Sequence, residues 1–195
     1  ENMVLSAVAR YNERDIDSAV SILKEVVADD PQNDGAWYYL GQCAIAKNDP
    51  EAAEQCYRMA SEIDPSNFWY RYRLARLYSV TSRPELTVDM YEKLLEDFPK
   101  KSDLYFDLVE LYGSQQEYEK ALETLKEIET VFGMTESIAV YRFNLLRMLN
   151  RQEEAFQSLQ DYNKEYSSPF ILATLADYEM AMYNDSTALA YYDEA

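Results

Sequence analysis

Histidine is absent from this 195-residue sequence, and cysteine occurs only twice. Without histidine the chain lacks the side chain that most often serves as a general base or as a metal ligand near neutral pH. Cys43 and Cys56 cannot complete a four-ligand zinc site by themselves, and two cysteines do not make a disulfide framework. We therefore expect two small buried thiols and neither a metal ion nor another cofactor.

Glycine, proline and long apolar runs are also scarce. The sequence has 4 glycines and 6 prolines, and no run of 18 apolar residues, so it contains no segment that could span a bilayer as a helix. It has no glycine-rich phosphate loop and no serine in a nucleophile-elbow context. With 48% hydrophobic and 28% charged residues, the composition predicts an ordered, mostly helical protein that is not an enzyme.

Positive charge is in short supply. Lysine and arginine number 18 against 36 acidic residues, which gives a formal net charge of -18. Nucleic acids and anionic membrane surfaces bind to clustered cations, and the cations of this sequence are not clustered. We expect protein or peptide partners, no nucleic acid and no direct membrane insertion.

A period of 34 residues organises what the sequence does contain. Prolines stand at positions 31, 65 and 99. A column of small residues has the same period, with one final step of 33; it consists of Ala19, Ala53, Thr87, Ala121, Ala155 and Ala188. A fixed period of this length is typical of a protein built from stacked structural repeats.

The stretch from Trp37 to Pro65 carries the most complete form of the repeat. Its characteristic residues are Trp37, Leu40, Gly41, Ala53, Tyr57 and Pro65. This spacing resembles the tetratricopeptide repeat, a helix-turn-helix unit of 34 residues. One such hairpin cannot bury its apolar face alone. The resemblance therefore implies an all-α fold, an α-solenoid (a right-handed superhelix) of about five full units and a truncated sixth.

We expect a single array over residues 1–195. Its repeats are placed at about residues 1–33, 34–67, 68–101, 102–135, 136–168 and 169–195. Asp49-Pro50 and Ser168-Pro169 each predict a helix start, with a capping side chain followed by proline in the first turn. The sixth unit stops within a second helix and has no polar capping helix, which predicts a fragment of a longer repeat protein.

The resemblance also implies where a partner binds. In tetratricopeptide proteins the concave groove is lined mainly by the first helix of each repeat. Position-by-position transfer predicts a partner-binding groove made of Tyr38, Gln42, Trp69, Tyr72, Arg76, Phe106, Glu110 and Asn144. Aromatic residues interleaved with single polar groups suit an extended peptide or a helix with apolar anchors. Alternatively, the aromatic residues only fill a narrow groove.

The leading hypothesis is a non-catalytic scaffold that binds a peptide or helix of a partner in this concave, aromatic-lined groove. One alternative is a structural or self-assembling spacer of a larger repeat protein, with end-to-end self-association. Another is the regulatory arm of an enzyme whose catalytic domain lies outside this segment. Tight binding of an acidic C-terminal tail is not expected, because Arg76 alone does not form a carboxylate clamp. The compartment stays open: cytoplasmic, or periplasmic or exported if a leader was removed upstream of Glu1.

Overall fold

The computed structural model describes residues 2–195; Glu1, where the first predicted repeat begins, lies outside them. The described residues form α-helices and no strand. The helices are α1 (Asn2–Asn12), α2 (Ile16–Asp29), α3 (Asp34–Ala46), α4 (Pro50–Ile63), α5 (Phe68–Val80), α6 (Pro84–Asp97), α7 (Ser102–Ser114), α8 (Tyr118–Phe132), α9 (Glu136–Met148), α10 (Gln152–Tyr166), α11 (Pro169–Ala181) and α12 (Asp185–Glu194). The predicted all-α class is confirmed.

The helices pack as consecutive hairpins, two helices within each predicted repeat. They divide into two compact units: unit 1 ends at Phe98, and unit 2 comprises Pro99–Ala195. Within each unit the first helix of a hairpin packs on the second helix of the hairpin before it. This is the stacking of an α-solenoid, which confirms the predicted architecture. That all six hairpins form one continuous array stays a prediction.

Both predicted helix starts are confirmed. The Asp49 carboxylate accepts a hydrogen bond from the Ala52 N–H at 3.0 Å, and Pro50 occupies the first turn of α4. The Ser168 hydroxyl oxygen accepts from the Ile171 N–H at 3.2 Å, followed by Pro169 in α11. Each cap satisfies a backbone donor that has no partner within its own helix, and each proline lacks such a donor.

The turn inside every hairpin contains one non-glycine residue with a positive φ. These residues are Arg14, Asn48, Ser82, Gln116, Asn150 and Tyr183, with φ between 56° and 64°. In each turn the next N–H donates to a carbonyl five residues earlier, as from Asp49 to Ala44 at 2.9 Å. This bond closes the C-terminus of the first helix, a geometry that usually employs glycine. Because none of the six residues is glycine, the sequence does not indicate that the backbone is left-handed at these positions.

Replacing Tyr183 by glycine is expected to stabilise the protein. The Tyr183 side chain is 92% exposed, so the substitution removes little packing, whereas the left-handed backbone costs a residue with a Cβ atom about 1 kcal/mol. We expect the free energy of unfolding to rise by about 0.5–1 kcal/mol, measured by denaturant unfolding. Asn150→Gly is the matched control, and its gain should be smaller because asparagine tolerates this conformation. A lower unfolding midpoint for Tyr183→Gly would contradict the prediction.

Two columns of the repeat form the centre of each hairpin. The six small residues from Ala19 to Ala188 all have 0% exposure. Four residues after each small residue comes a large one: Leu23, Tyr57, Tyr91, Leu125, Leu159 and Tyr192. The first five of these are at most 2% exposed. The small side chains let paired helices approach closely, and the large ones fill the adjacent space, as the repeat pattern predicts.

A partly buried carboxylate joins the second and third hairpins of unit 1. Glu54 of α4 pairs with Arg83, Nη1 to Oε2 at 2.8 Å, and its Oε1 atom accepts from the Tyr78 hydroxyl at 3.2 Å. Burial raises the pKa of Glu54, but the hydrogen bonds of Arg83 and Tyr78 and the charges of Arg83 and Arg58 together outweigh it, so the pKa lies below its ordinary value. The Arg83 guanidinium also covers the Tyr78 ring at 4.4 Å from its centroid. Glu54 is therefore ionised and fixed at neutral pH.

The two cysteines lie in the core of unit 1, as predicted. Cys43 is buried and Cys56 is partly buried, and both are free thiols. Burial raises the pKa of Cys56 to about 11, so the thiol stays protonated at neutral pH and is a poor nucleophile. Both side chains act as small hydrophobic residues.

Candidate functional site

The eight residues predicted to line the groove are distributed over both units. Unit 1 holds Tyr38 and Gln42 on α3 and Trp69, Tyr72 and Arg76 on α5. Unit 2 holds Phe106 and Glu110 on α7 and Asn144 on α9. All of them lie on the first helices of hairpins. Because the helices belong to two units, the eight residues form two local groups.

Unit 1 has a cleft of about 420 Å³ between the N-terminal halves of α3 and α5. Its lining residues are Gly35, Tyr38, Tyr39, Asn67, Trp69, Tyr70 and Arg73. We call this site the aromatic cleft. Of the predicted groove residues it contains Tyr38 and Trp69; sequence reasoning missed the other five. The volume falls in the range of sites that hold one or two side chains or a small ligand.

The cleft is positioned by the local structure at the starts of its two helices. Asn33 caps α3, its side-chain oxygen accepting from the Ala36 N–H at 3.0 Å. Asn67 caps α5 in the same way, accepting from the Trp69 N–H at 3.1 Å. Equivalent caps start the two helices at equivalent repeat positions. The first turns of α3 and α5 therefore present their aromatic side chains side by side.

Three tyrosine rings form one wall of the aromatic cleft. The ring centroid of Tyr38 lies 5.1 Å from that of Tyr70 and 5.2 Å from that of Tyr39, the latter edge-on. The Tyr70 hydroxyl donates to the Asp34 carboxylate at 2.8 Å. Burial and this hydrogen bond raise the pKa of Tyr70, so the phenol remains a neutral donor. The wall is held in place by packing and by one partly buried hydrogen bond.

Trp69 forms the open edge of the aromatic cleft. Its side chain is 53% exposed, although its ring touches Phe68 at 5.2 Å and Tyr72 at 6.1 Å between centroids. Phe68 itself stacks on Tyr72 at 5.3 Å and meets Phe98 edge-on. The exposed indole is thus supported by an aromatic cluster rather than hanging free in solvent.

Arg73 is the charged residue of the aromatic cleft. Of the described residues that line it, only Arg73 is charged. Burial lowers the pKa of the Arg73 guanidinium, but a hydrogen bond with Tyr38 and nearby phenols outweigh burial and raise it. Arg73 is therefore a permanent cation held against aromatic rings.

The remaining predicted residues of unit 1 lie outside the aromatic cleft. Tyr72 stacks between Phe68 and the buried Tyr91, whose ring centroid is 6.3 Å away. Tyr72 is partly buried in this stack. Arg76 is exposed one turn beyond Arg73, and Gln42 is mostly buried on α3. That the five residues of unit 1 line one partner-binding groove stays a prediction.

Unit 2 brings together Phe106, Glu110 and a residue that was not predicted, Tyr141. The Phe106 and Tyr141 rings lie 5.5 Å apart between centroids, and the Tyr141 hydroxyl donates to Glu110 at 2.8 Å. Burial and this bond raise the pKa of Tyr141. Asn144 is exposed on the same helix as Tyr141. This group offers a smaller and acidic surface.

Unit 2 has a cleft of about 760 Å³ along α8, α9 and α10. Its lining residues are mainly polar. Arg142 and Glu129, which form an ion pair across it, lie in its wall. Tyr162 and Tyr166 stack at 4.7 Å between centroids on its α10 side. Asp161 and Glu154 in the same wall already bond to Lys164 and Arg151. Four of the six charged lining residues, Glu129, Arg142, Glu154 and Asp161, thus already have an ion-pair partner, and the aromatic cleft is the stronger candidate.

Residues 2–195 contain no group of three or more His, Cys, Asp or Glu side chains placed to hold a metal ion. Over the same residues, no helix is both long and apolar enough to cross a membrane. The aromatic cleft itself offers aromatic faces, phenol and amide hydrogen-bonding groups and one guanidinium.

Comparison with known proteins gives matches in sequence and in structure. Residues 11–70 match a family model described as tetratricopeptide repeat. Cellulose synthase operon protein C of Pseudomonas fluorescens (strain SBW25) is 31% identical over 91 residues, 47% of this chain and 7% of that protein. Superkiller complex protein 3 of Mus musculus is 26% identical over 177 residues, 86% of this chain and 11% of that protein. The chain spans only a small part of the length of either relative.

Among solved structures, a tetratricopeptide repeat protein from Parabacteroides merdae ATCC 43184 superposes with a TM-score of 0.72. The superposition covers 98% of this chain and 76% of that one, at 19% sequence identity. At this identity the likeness concerns the fold.

Proposed function

This chain belongs to the tetratricopeptide repeat family, and from that premise we propose that it is a non-catalytic scaffold that binds a segment of a partner protein in the aromatic cleft. Tetratricopeptide repeats are protein-interaction scaffolds in general. The proposal concerns the finer point, which is where on this chain a partner docks and by which side chains.

The observation that carries the proposal is the exposed Trp69 beside three tyrosines. Packing explains the buried columns of the repeat, but it does not require a tryptophan that is half exposed at the mouth of a cleft. Tryptophan, tyrosine and arginine are the residue types that most often dominate binding energy at protein interfaces. A rigid, supported aromatic wall loses little conformational entropy when a partner binds.

A protein segment is the favoured class of partner. Nucleic acid is disfavoured by the net charge of -18. The cleft has room for one or two anchoring side chains, which suits an extended peptide or one face of a helix. Superkiller complex protein 3 is by its name a component of a complex, which supports the same class. The spacer and regulatory-arm alternatives remain hypotheses.

Photo-crosslinking tests the location. A benzophenone amino acid is placed at Trp69 in the full chain, and at Leu86 as the control, since Leu86 is a similarly exposed apolar residue on α6. We expect a defined protein adduct from position 69 that is absent from position 86. Trp69→Ala should weaken the affinity of that protein at least tenfold while leaving helical content unchanged. Identical adducts from both positions, or none from position 69, would refute the location.

A further inference from the structure

Resting on the proposed function, we propose that the partner segment carries an aspartate or glutamate side chain beside its apolar anchor, and that Arg73 binds that carboxylate. The apolar anchor lies against Tyr38, Tyr39 and Tyr70. The carboxylate belongs to an internal residue of the segment and not to a free C-terminus.

Arg73 differs from other arginines of the chain in its charged partners. Acidic residues outnumber lysine and arginine by 36 to 18, and other arginines of the described chain pair with carboxylates, such as Arg58 with Glu54 and Arg151 with Glu154. Among residues 2–195 the ion pairs of the arginines do not include Arg73, whose exposed side chain lines the cleft together with Tyr38. A guanidinium forms its strongest hydrogen bonds with a carboxylate. Arg73 can therefore gain such bonds from a carboxylate of the partner segment.

The positive charge of the aromatic cleft favours an anionic side chain. An aromatic cleft without charge, or with carboxylates, would suit a cationic side chain through the ring faces. Here the cleft lining holds no carboxylate and one cation. The neighbouring Asp34 carboxylate already accepts a hydrogen bond from Tyr70. A lysine or arginine entering the cleft would meet a like charge, whereas a carboxylate would meet an opposite one.

The net charge of the chain does not overturn this argument. At physiological ionic strength, charges farther away than the screening length of about 8 Å contribute little. Arg73 is exposed in the free chain, and a segment bound beside the tyrosine rings would partly cover it. A partly buried ion pair is screened less than an exposed one, and its paired N–H to O bonds add direction as well as strength. The acidity of the surrounding surface slows the approach of an anionic segment more than it weakens the contact.

An internal carboxylate fits better than a chain terminus. Only one guanidinium lines the aromatic cleft, whereas Arg76 and Gln42 lie outside it. One arginine flanked by aromatic rings matches one acidic side chain flanked by an apolar residue.

The test uses Trp69 as its reporter. The sequence has two tryptophans, Trp37 and Trp69, so Trp37→Phe in the full chain leaves fluorescence from the cleft alone. The probes are synthetic nonapeptide pools with a central phenylalanine in a Ser/Ala background. Three pools carry one Glu, one Gln or one Lys, respectively. Within each pool this residue occupies every position flanking the phenylalanine in turn, and both peptide ends are blocked. A fourth pool carries Gln and a free C-terminal carboxylate.

We expect the Glu pool to reach half-saturation at a concentration at least tenfold lower than the Gln pool, with the Lys pool weakest. Arg73→Gln should remove the preference for Glu, and Arg73→Lys should restore part of it. Arg76→Gln, one turn further along α5, is the matched control and should keep the preference. Circular dichroism checks that each variant is folded.

The inference would be overturned by equal binding of the Glu and Gln pools, by a preference for the Lys pool or the free C-terminus, or by a preference for Glu that survives Arg73→Gln. Equal binding of all pools would leave the proposed function standing while the inference fails. A complete lack of response to the pools also overturns the inference. The proposed function is then decided separately by the crosslink at position 69.

Discussion

Replacing Tyr57 by alanine is expected to lower the free energy of unfolding by about 3–5 kcal/mol. Tyr57 is 2% exposed and fills the space between the helices of the second hairpin. Its ring also touches Tyr38 at 6.0 Å between centroids, so its removal loosens the back of the aromatic cleft. Truncation removes a large apolar area and leaves a cavity that the surrounding helices cannot fully close. Denaturant unfolding followed by circular dichroism measures the loss.

The matched control for this substitution is Tyr192→Ala. Tyr192 occupies the same position in the last hairpin but is 43% exposed, with its hydroxyl bonded to Asp177. Since little packing is lost, its unfolding midpoint should stay close to that of the unaltered chain. Equal losses for the two variants would show that the burial of this column does not set its contribution to stability.

Replacing Gly41 by alanine is expected to lower the free energy of unfolding by about 2 kcal/mol. A Cβ atom at position 41 would lie 2.5 Å from Cε1 and 2.6 Å from Cδ1 of the Tyr57 ring. The overlap costs about 3 kcal/mol, the upper end for an overpacked core, because the buried ring cannot move aside. The gain of about 1 kcal/mol from replacing glycine inside a helix offsets part of it. The same unfolding measurement gives the difference.

Gly113→Ala is the control and should have the opposite sign. Gly113 lies on α7, also the first helix of a hairpin, but a Cβ atom there would meet nothing within 4 Å. We therefore expect only the helix-propensity gain, an increase of about 0.5–1 kcal/mol. If Gly41→Ala were as stabilising as Gly113→Ala, the close helix crossing at Gly41 would be refuted.

The repeat and its buried columns could be predicted because each hairpin solves the same packing problem. Gly41 and Ala53 were expected to be small where helices cross, and the contact of Gly41 with Tyr57 confirms the reason. The helix starts at Asp49 and Ser168 were predictable because capping depends on a few neighbouring residues. The left-handed turn residues such as Ser82 and Tyr183 were not, since the backbone there is imposed by the closure of two packed helices.

The candidate site was predictable only in part. Transfer of repeat positions identified Tyr38 and Trp69, which line the aromatic cleft, but it gave equal weight to Tyr72, which stacks in the third hairpin. Arg73 was missed because the transferred positions did not include it. Tyr38 and Tyr39, which line the cleft opposite the helix of Arg73, come from the preceding hairpin, more than thirty residues away in sequence. Such a neighbourhood depends on how successive hairpins stack.

The all-α class, the helical hairpin, the 34-residue period and the small-residue column follow from the amino-acid sequence alone. They do so because these features repeat local rules of capping, periodicity and helix crossing. Which aromatic side chains pack and which face solvent depends on the tertiary structure. Tyr57 and Tyr192 share one repeat position, yet one is buried and the other exposed. The difference lies in the neighbouring helices that cover a side chain, and those are set by the stacking of the hairpins rather than by the repeat itself.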